Sequence, residues 1–485
     1  MGRRTGRGAA VWRAVVRSAV VGAALCVASA VLPGRVAVAA PDVPSYAFAD
    51  DVRSAPATTG TTGAARLEPG ATYRSSLRGE DKAYYRLELD GMSDVYVSVT
   101  AIPRAGAALS AGDGISVSVQ DADSVTCSSD SVTVGTAVSP QPLTAWGARE
   151  LLPGKGLCRK AGTYYVVVER TGTGSSTGTG SGTGTGSGTG SGTGTGSGGE
   201  EDTDLSDGRT WDLELAPVSE APLAKAAATR VPEVWDSSTP TPPVDEPVSV
   251  RGGAGFAEAA AVEQGVRSDE IVPGQTLFYK VPVDWGQQLS ATVDLGSAEK
   301  NSGYVVDALE MTLYNPVRAS VKDTGIGYGG SQKSASLPPV PPVGYANRYA
   351  PTDPTKSLRF AGSYYLVVHL AAQVADRFGE GPYGLTLRVR LGGSAQAGPG
   401  YARQSVPRGF FDVGAPDPVP SGGGSSAGAD ASGDGASGGD PAMKAVAVGG
   451  IGSGSVLLMV LGVWTLSARR RAAAQMRVNA QNPTA

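Results

Sequence analysis

Five segments of this chain occur twice, in the same order. Glu68-Pro69-Gly70-Ala71-Thr72 resembles Val272-Pro273-Gly274-Gln275-Thr276, and Tyr84–Gly91 resembles Phe278–Trp285. Ile115–Asp121 lies over Leu309–Asn315, Lys160–Val168 over Phe360–Val368, and Trp211–Leu215 over Tyr383–Leu387. Within them, apolar and polar residues alternate. Tyr85, Leu87 and Leu89 alternate with Arg86, Glu88 and Asp90; Ile115, Val117 and Val119 alternate with Ser116, Ser118 and Gln120. A period of two with one apolar face is the signature of half-buried antiparallel strands. Ordered repetition of such segments means two copies of one β domain. The only helical signal outside the C-terminal region is a short Ala-rich piece at Phe256–Val262.

The two ends place these copies outside a membrane. Arg3, Arg4, Arg7, Arg13 and Arg17 precede an apolar run, Ser18–Leu32, and the small residues Ala37 to Ala40. That is the three-part pattern of a secretory signal, with cleavage expected after Ala39 or Ala40. Ala445–Ala468 holds 24 residues without a charge. As a helix it is roughly 36 Å long, enough to cross about 30 Å of hydrocarbon. Arg469-Arg470-Arg471 follows directly, which puts the C-terminus in the cytoplasm and the N-terminus outside. Gly450 and Gly454 form a small-xxx-small pair through which two such helices could pack into a dimer.

Charge and composition narrow the function. Six arginines lie in the leader 1–40 and four after Ala468, and neither stretch has an acid. Of the 41 Lys+Arg and 45 Asp+Glu, the region between keeps 31 and 45, a net of −14. An acidic exterior argues against nucleic acid as a partner. There is one histidine, His369. No His-based zinc cage can form, and a Ser-His-Asp or Cys-His nucleophile would need that residue. It lies mid-strand in Tyr364–Leu370, where a satisfied structural histidine is expected. The sequence offers no catalytic residue and no cofactor site; the Gly-rich runs lack GxxxxGK[ST]. Cleavage of the leader removes Cys26 and leaves Cys127 and Cys158, which read as one disulfide in an oxidising compartment, a free thiol being the alternative. The repeat aligns them with Val321 and Leu358, an apolar pair.

The strand Tyr85–Leu89, then Ile115–Asp121, Gly162–Val168 and Trp211–Leu215 follow one another in an order that resembles the bacterial pre-peptidase C-terminal domain. Tyr279–Val283, Leu309–Asn315, Gly362–Val368 and Tyr383–Val389 repeat it. The resemblance covers both modules and suggests a membrane-anchored surface protein of actinobacterial type. It implies an all-β fold of two jelly-roll-like antiparallel β-sandwiches, used as accessory rather than catalytic units. Some relatives bind calcium or glycans. Asp113, Asp121 and Asp123 are the nearest thing to a calcium cluster here, against the alternative of a solvated loop.

The expected layout is a signal peptide 1–40, a disordered segment 41–64, sandwich one 65–218, and a Pro-rich linker 219–254. Sandwich two 255–392, a disordered stalk 393–444, the transmembrane helix 445–468 and a tail 469–485 follow. Thr171–Gly199, 29 residues of Gly, Ser and Thr alone, interrupts module one before its last strand. It should be a coil with an end-to-end distance of about 30 Å. The modules are expected to be flexibly joined. Together these readings describe a non-catalytic, single-pass display protein at the cell membrane, facing the cell wall or the exterior. Its ectodomain would bind an extracellular protein or cell-wall glycan. An accessory subunit of a membrane-associated secretion or protease complex is one alternative, a histidine-independent cell-wall hydrolase another.

Overall fold

The computed structural model describes residues 45–79, 81–104, 106–172, 210–231, 234–299 and 303–413. The expected leader, most of the Gly/Ser/Thr insertion, the segment expected to span the membrane with Gly450 and Gly454, and the expected tail lie outside them. Among the described residues no helix is long and apolar enough to cross a membrane.

The chain is nearly all β and forms four sheets in two sandwich-like units. In module one the strands are β1 (Arg53–Ser54), β2 (Ala65–Arg66), β3 (Tyr73–Arg78), β4 (Lys82–Leu89) and β5 (Asp94–Ile102). β6 (Gly114–Asp121), β7 (Thr126–Thr133), β8 (Leu143–Arg149), β9 (Gly162–Thr171) and β10 (Thr210–Glu220) complete it. Module two has β11 (Val248–Ser249), β12 (Ala260–Ala261), β13 (Gly265–Ile271), β14 (Thr276–Val283) and β15 (Gln288–Leu295). Then come β16 (Val305–Tyr314), β17 (Ser320–Tyr328), β18 (Lys333–Ser336), β19 (Gly362–Leu370) and β20 (Tyr383–Gly392). The sheets of module one run β1-β3-β10-β5-β8 and β2-β4-β9-β6-β7. Adding ten to each label gives the two sheets of module two. The duplication inferred from five segments therefore extends to the whole topology.

Alternation explains the cores. Tyr85, Leu87, Val97, Val99, Val117, Val166, Val168, Leu213 and Leu215 point inward in module one. Tyr279, Val281, Val293, Met311, Leu366, Val368, Leu385 and Leu387 do so in module two. The disulfide Cys127–Cys158 is formed, with its Cα atoms 5.7 Å apart, and both sulfurs join the core of module one. Val321 and Leu358, their aligned counterparts, are buried in the core of module two.

Three expectations need correction. The Ala-rich piece at Phe256–Val262 is a turn leading into β12, whereas the helices are short ones at Asp353–Lys356 and Gln373–Phe378. Phe256 and Ala259 are drawn into an aromatic cluster with Phe278 and Tyr314, and that packing outweighs local helix propensity. The segment expected to be disordered before residue 65 is ordered from Ser45: Tyr46 packs edge-on to Phe278, and Ala47 N–H donates to Ala254 O. The expected stalk is likewise folded as far as Val413. Its Tyr401 and Val406 bridge to Leu223 and Ser219, and Phe411 stacks on Phe360 at 4.9 Å. In both segments a few aromatic side chains bury enough apolar area to hold an otherwise polar stretch.

Candidate functional site

The densest polar chemistry among the described residues lies where the modules meet. Residues of sheet β1-β3-β10-β5-β8 that face away from its own core carry Asp94, Tyr96, Glu214, Val218 and Glu220. Alternation excludes these residues from the sandwich interior, and an isolated module would leave them in water. Module two covers them. Tyr96, Ala148 and Val218 pack with Val317, Ala319, Phe360 and Phe411.

Three arginines of module two then meet the acids. Arg348 Nη2 donates to Glu220 Oε1 at 2.7 Å, and its Nη1 lies 3.4 Å from Asp94 Oδ2. Glu220 also accepts from the hydroxyls of Tyr96 (2.9 Å) and Tyr401 (2.9 Å). Arg359 pairs with Glu150 at 2.7 Å, and Arg318 bonds Glu214, whose side chain is wholly buried. Arg318 is a non-glycine residue at φ +60°, an unfavourable backbone for an L-residue. The turn that holds it there is closed by Asn315, whose Oδ1 accepts from Ala319 N–H. Arg348 sits over the Tyr345 ring at 3.6 Å and Arg318 over Phe256 at 4.5 Å, so the guanidinium faces are covered as well as their edges.

The charge balance of the Arg348–Arg359 cluster is uneven. Asp94, Glu150 and Glu220 share two arginines. Burial, and then the neighbouring Glu220, push the Asp94 carboxyl up to about 6, against the pull of Arg348 and of Leu151 N–H. Burial of Arg348 opposes its charge, but the surrounding acids raise its pKa further still.

His369 belongs to a second patch of the same interface. Its Nδ1 is 2.9 Å from Thr276 Oγ1 within module two, and its Nε2 is 2.8 Å from Ser139 Oγ of module one. Both ring nitrogens are engaged, and burial of the ring pushes its pKa down to about 4 against a hydrogen bond with the Gln275 backbone. The structural role expected for this histidine is what the geometry shows, with the addition that it joins the modules. Ser139 Oγ accepts from Ala372 N–H as well, Gln373 Nε2 donates to Ala137 O at 2.7 Å, and Thr136 bonds Asp307.

Asp113, Asp121 and Asp123 do not come together as one cluster. β6 separates Asp113 from Asp121, a span of about 26 Å at the usual rise per residue. Each end is a turn: Asp113 accepts from Ser110 N–H, and Asp121 accepts from Asp123 N–H and Val125 N–H.

Module two also presents a counterpart of the face it covers on module one. Gln288 pairs with Gly392 as Asp94 pairs with Glu220. In step with that register, Ser290 replaces Tyr96, Thr386 replaces Glu214, Arg388 replaces Ala216 and Arg390 replaces Val218. Two arginines appear, and Asp294, in the place of Thr100, pairs with Arg388 at 3.0 Å. The Pro-rich linker crosses this face as a strap: Asp236 O accepts from Gln288 Nε2 (3.0 Å), Thr241 O from Arg390 Nη1 (3.1 Å) and Pro243 O from Arg388 Nη1 (3.0 Å). Beside it an open cavity of about 440 Å³ is lined by Asp236, Ser238, Gln288, Ser290, Pro342 and Arg390, among others. Neither the interface acids nor these arginines stood out in the sequence as more than solvated strand positions. The exchange of Tyr96, Glu214 and Val218 for Ser290, Thr386 and Arg390 at matched positions is the signal that distinguishes the two faces.

No family model and no curated protein matches this chain. Among solved structures it is similar to the N-terminal CBM22-1-CBM22-2 tandem domain of Paenibacillus barcinonensis Xyn10C: 11% identity, 72% of this chain and 100% of that chain, TM-score 0.17. The tandem CBM51 modules of Sp3GH98, a family 98 glycoside hydrolase from Streptococcus pneumoniae, overlap at 8% identity, 66% of this chain and 83% of that chain, TM-score 0.17. The CUB1-EGF-CUB2 domain of human MASP-1/3 does so at 7% identity, 65% and 99%, TM-score 0.15. At such scores the overlap says nothing about what this chain binds.

Proposed function

We propose that this chain is a non-catalytic binding and display protein, exported by residues 1–40 and anchored by residues 445–468, with its C-terminus in the cytoplasm. Its modules are, on this reading, of the pre-peptidase C-terminal type, held as one body in front of the membrane. The observation that carries the non-catalytic part is the position of His369. The one histidine of the chain is buried between the modules, with Thr276 and Ser139 on its two nitrogens, so it has no open side for a substrate. The arginines and acids of the interface are similarly turned toward one another. What stays outward is sheet face, strap and loop, which suits recognition of a protein or a wall polymer.

The test is affinity purification of the full chain from detergent-solubilised membranes, alongside binding of the purified chain to cell wall. Retention on wall supports a binding role directed at the wall. A stoichiometric membrane partner without wall binding supports the accessory-subunit reading. Hydrolase activity that co-purifies with the pure chain overturns the non-catalytic reading.

A further inference from the structure

We propose that the open cavity between the strap and the β15–β20 face of module two holds one ring of a neutral saccharide. This deepens the binding reading above and rests on it.

The cavity exists because two bulky side chains of module one have small counterparts in module two. Tyr96 and Glu220 fill their corner of module one, bonded to each other, with Arg348 on Glu220. At the matched positions stand Ser290 and Gly392, and both line the cavity of about 440 Å³. That volume falls within the range of small-molecule sites, about 300–1,000 Å³.

The lining selects the ligand. One acid, Asp236, and one base, Arg390, border the cavity, so a cation and an anion each meet a like charge there. A neutral polyol meets neither penalty, because each of its hydroxyls both donates and accepts. The protein groups offer both functions. Asp236 Oδ1 accepts from Ser238 N–H (3.0 Å) and Ser238 Oγ (2.6 Å), which leaves Oδ2 as an acceptor. Gln288 donates its amide to Asp236 O, which leaves Oε1 as a second acceptor. Arg390 gives one N–H to Thr241 O and keeps its other donors. Pro240 and Pro342 add apolar ring surface, the complement of the C–H face of a pyranose. The strap argues against a strand-shaped ligand. Its Thr241 and Pro243 carbonyls already hold Arg390 and Arg388, in the place that an extended peptide would need. A compact ring beside the strap displaces nothing.

The experiment is saturation-transfer difference NMR on the full chain, purified in a detergent without a sugar headgroup. The probes are the neutral trimers of N-acetylglucosamine and of galactose, with the cationic glucosamine trimer and the anionic galacturonate trimer as charged counterparts. At least one neutral trimer is expected to bind, at least about tenfold more tightly than its charged counterpart. Ser290→Tyr restores the bulk that module one carries at the matched position and is expected to abolish that binding. Ser290→Ala, which removes only a hydroxyl, should weaken it about threefold. The comparison of neutral with charged trimers needs no variant. Binding of neither neutral trimer, equal binding of neutral and charged trimers, or an affinity unchanged by Ser290→Tyr overturns the proposal. A chain that takes neither neutral trimer but binds purified wall, with Ser290→Tyr equal to the parent, keeps the binding reading and overturns only this site.

Discussion

Replacing Arg348 by Met removes the cation that two buried acids share. Arg348 lies 2.7 Å from Glu220 and 3.4 Å from Asp94, and its side chain is 3% exposed. With an effective dielectric constant of about 20, those separations correspond to gross attractions of about 6 and 5 kcal/mol. Desolvation of each ion cancels several kcal/mol of that, so the intact cluster is worth far less than the sum. Removal of one partner is different, because the acids remain buried without their cation. The expected loss is about 3–5 kcal/mol of folding and interface free energy at pH 7. Urea unfolding read through tryptophan fluorescence measures it, with Trp146 placed on the affected face. The loss should shrink toward pH 5, where the unpaired carboxylates can take up protons. Arg348→Met with Glu220→Gln should recover a large part of it. A loss below about 1 kcal/mol at pH 7, or one that does not diminish in the double variant, would refute the reasoning.

The two titrating groups at the interface act in opposite senses. Asp94 is raised to about 6 in the folded chain, so its contribution is complete below about pH 4 and disappears as pH rises through about 6. His369 is lowered to about 4, so its contribution is complete above about pH 6.5 and is lost as pH falls through about 4. Each amounts to about 3 kcal/mol, and they oppose each other between roughly pH 4 and 6. His369→Gln should therefore uncover a gain in stability on acidification from pH 7 to 5, measured by urea unfolding, and Asp94→Asn should abolish that gain. Reduction of Cys127–Cys158 should lower the stability of module one by about 3–4 kcal/mol, and thiol labelling of the unreduced, unfolded chain should find no free thiol after leader cleavage. Phe411→Ala should cost about 3–5 kcal/mol, because the ring is buried on Phe360; a thermal melt of the variant against the parent measures this.

The strands were readable because alternation is a local property. Tyr85, Leu87 and Leu89 announce an inward face whatever lies beyond the sandwich, and the repeat fixes how many sandwiches there are. The disulfide was readable from the cysteine count and from the oxidising compartment expected for an exported chain. The interface was not, because Glu214 and Glu220 look the same in sequence whether their face meets water or Arg318 and Arg348. Alternation says only that they avoid their own core. Expecting flexibly joined modules followed from the Pro-rich linker, which is real but lies pinned by Gln288, Arg388 and Arg390. Tyr46, Tyr401 and Phe411 were read as parts of polar tails because their partners lie in other parts of the chain: Phe278 for Tyr46, Glu220 for Tyr401, Phe360 for Phe411. Of the calcium candidates, Asp121 and Asp123 share one turn, while β6 carries Asp113 to its other end, which fits the alternative of solvated loops.

The account turns on the two modules behaving as one body. Spin labels at Met92→Cys in module one and Val306→Cys in module two, both on exposed side chains, allow their separation to be measured by double electron–electron resonance in the full chain. A single narrow distance distribution, broadened by Arg348→Met, is the predicted result. A broad distribution in the parent chain, unaffected by that substitution, would contradict it.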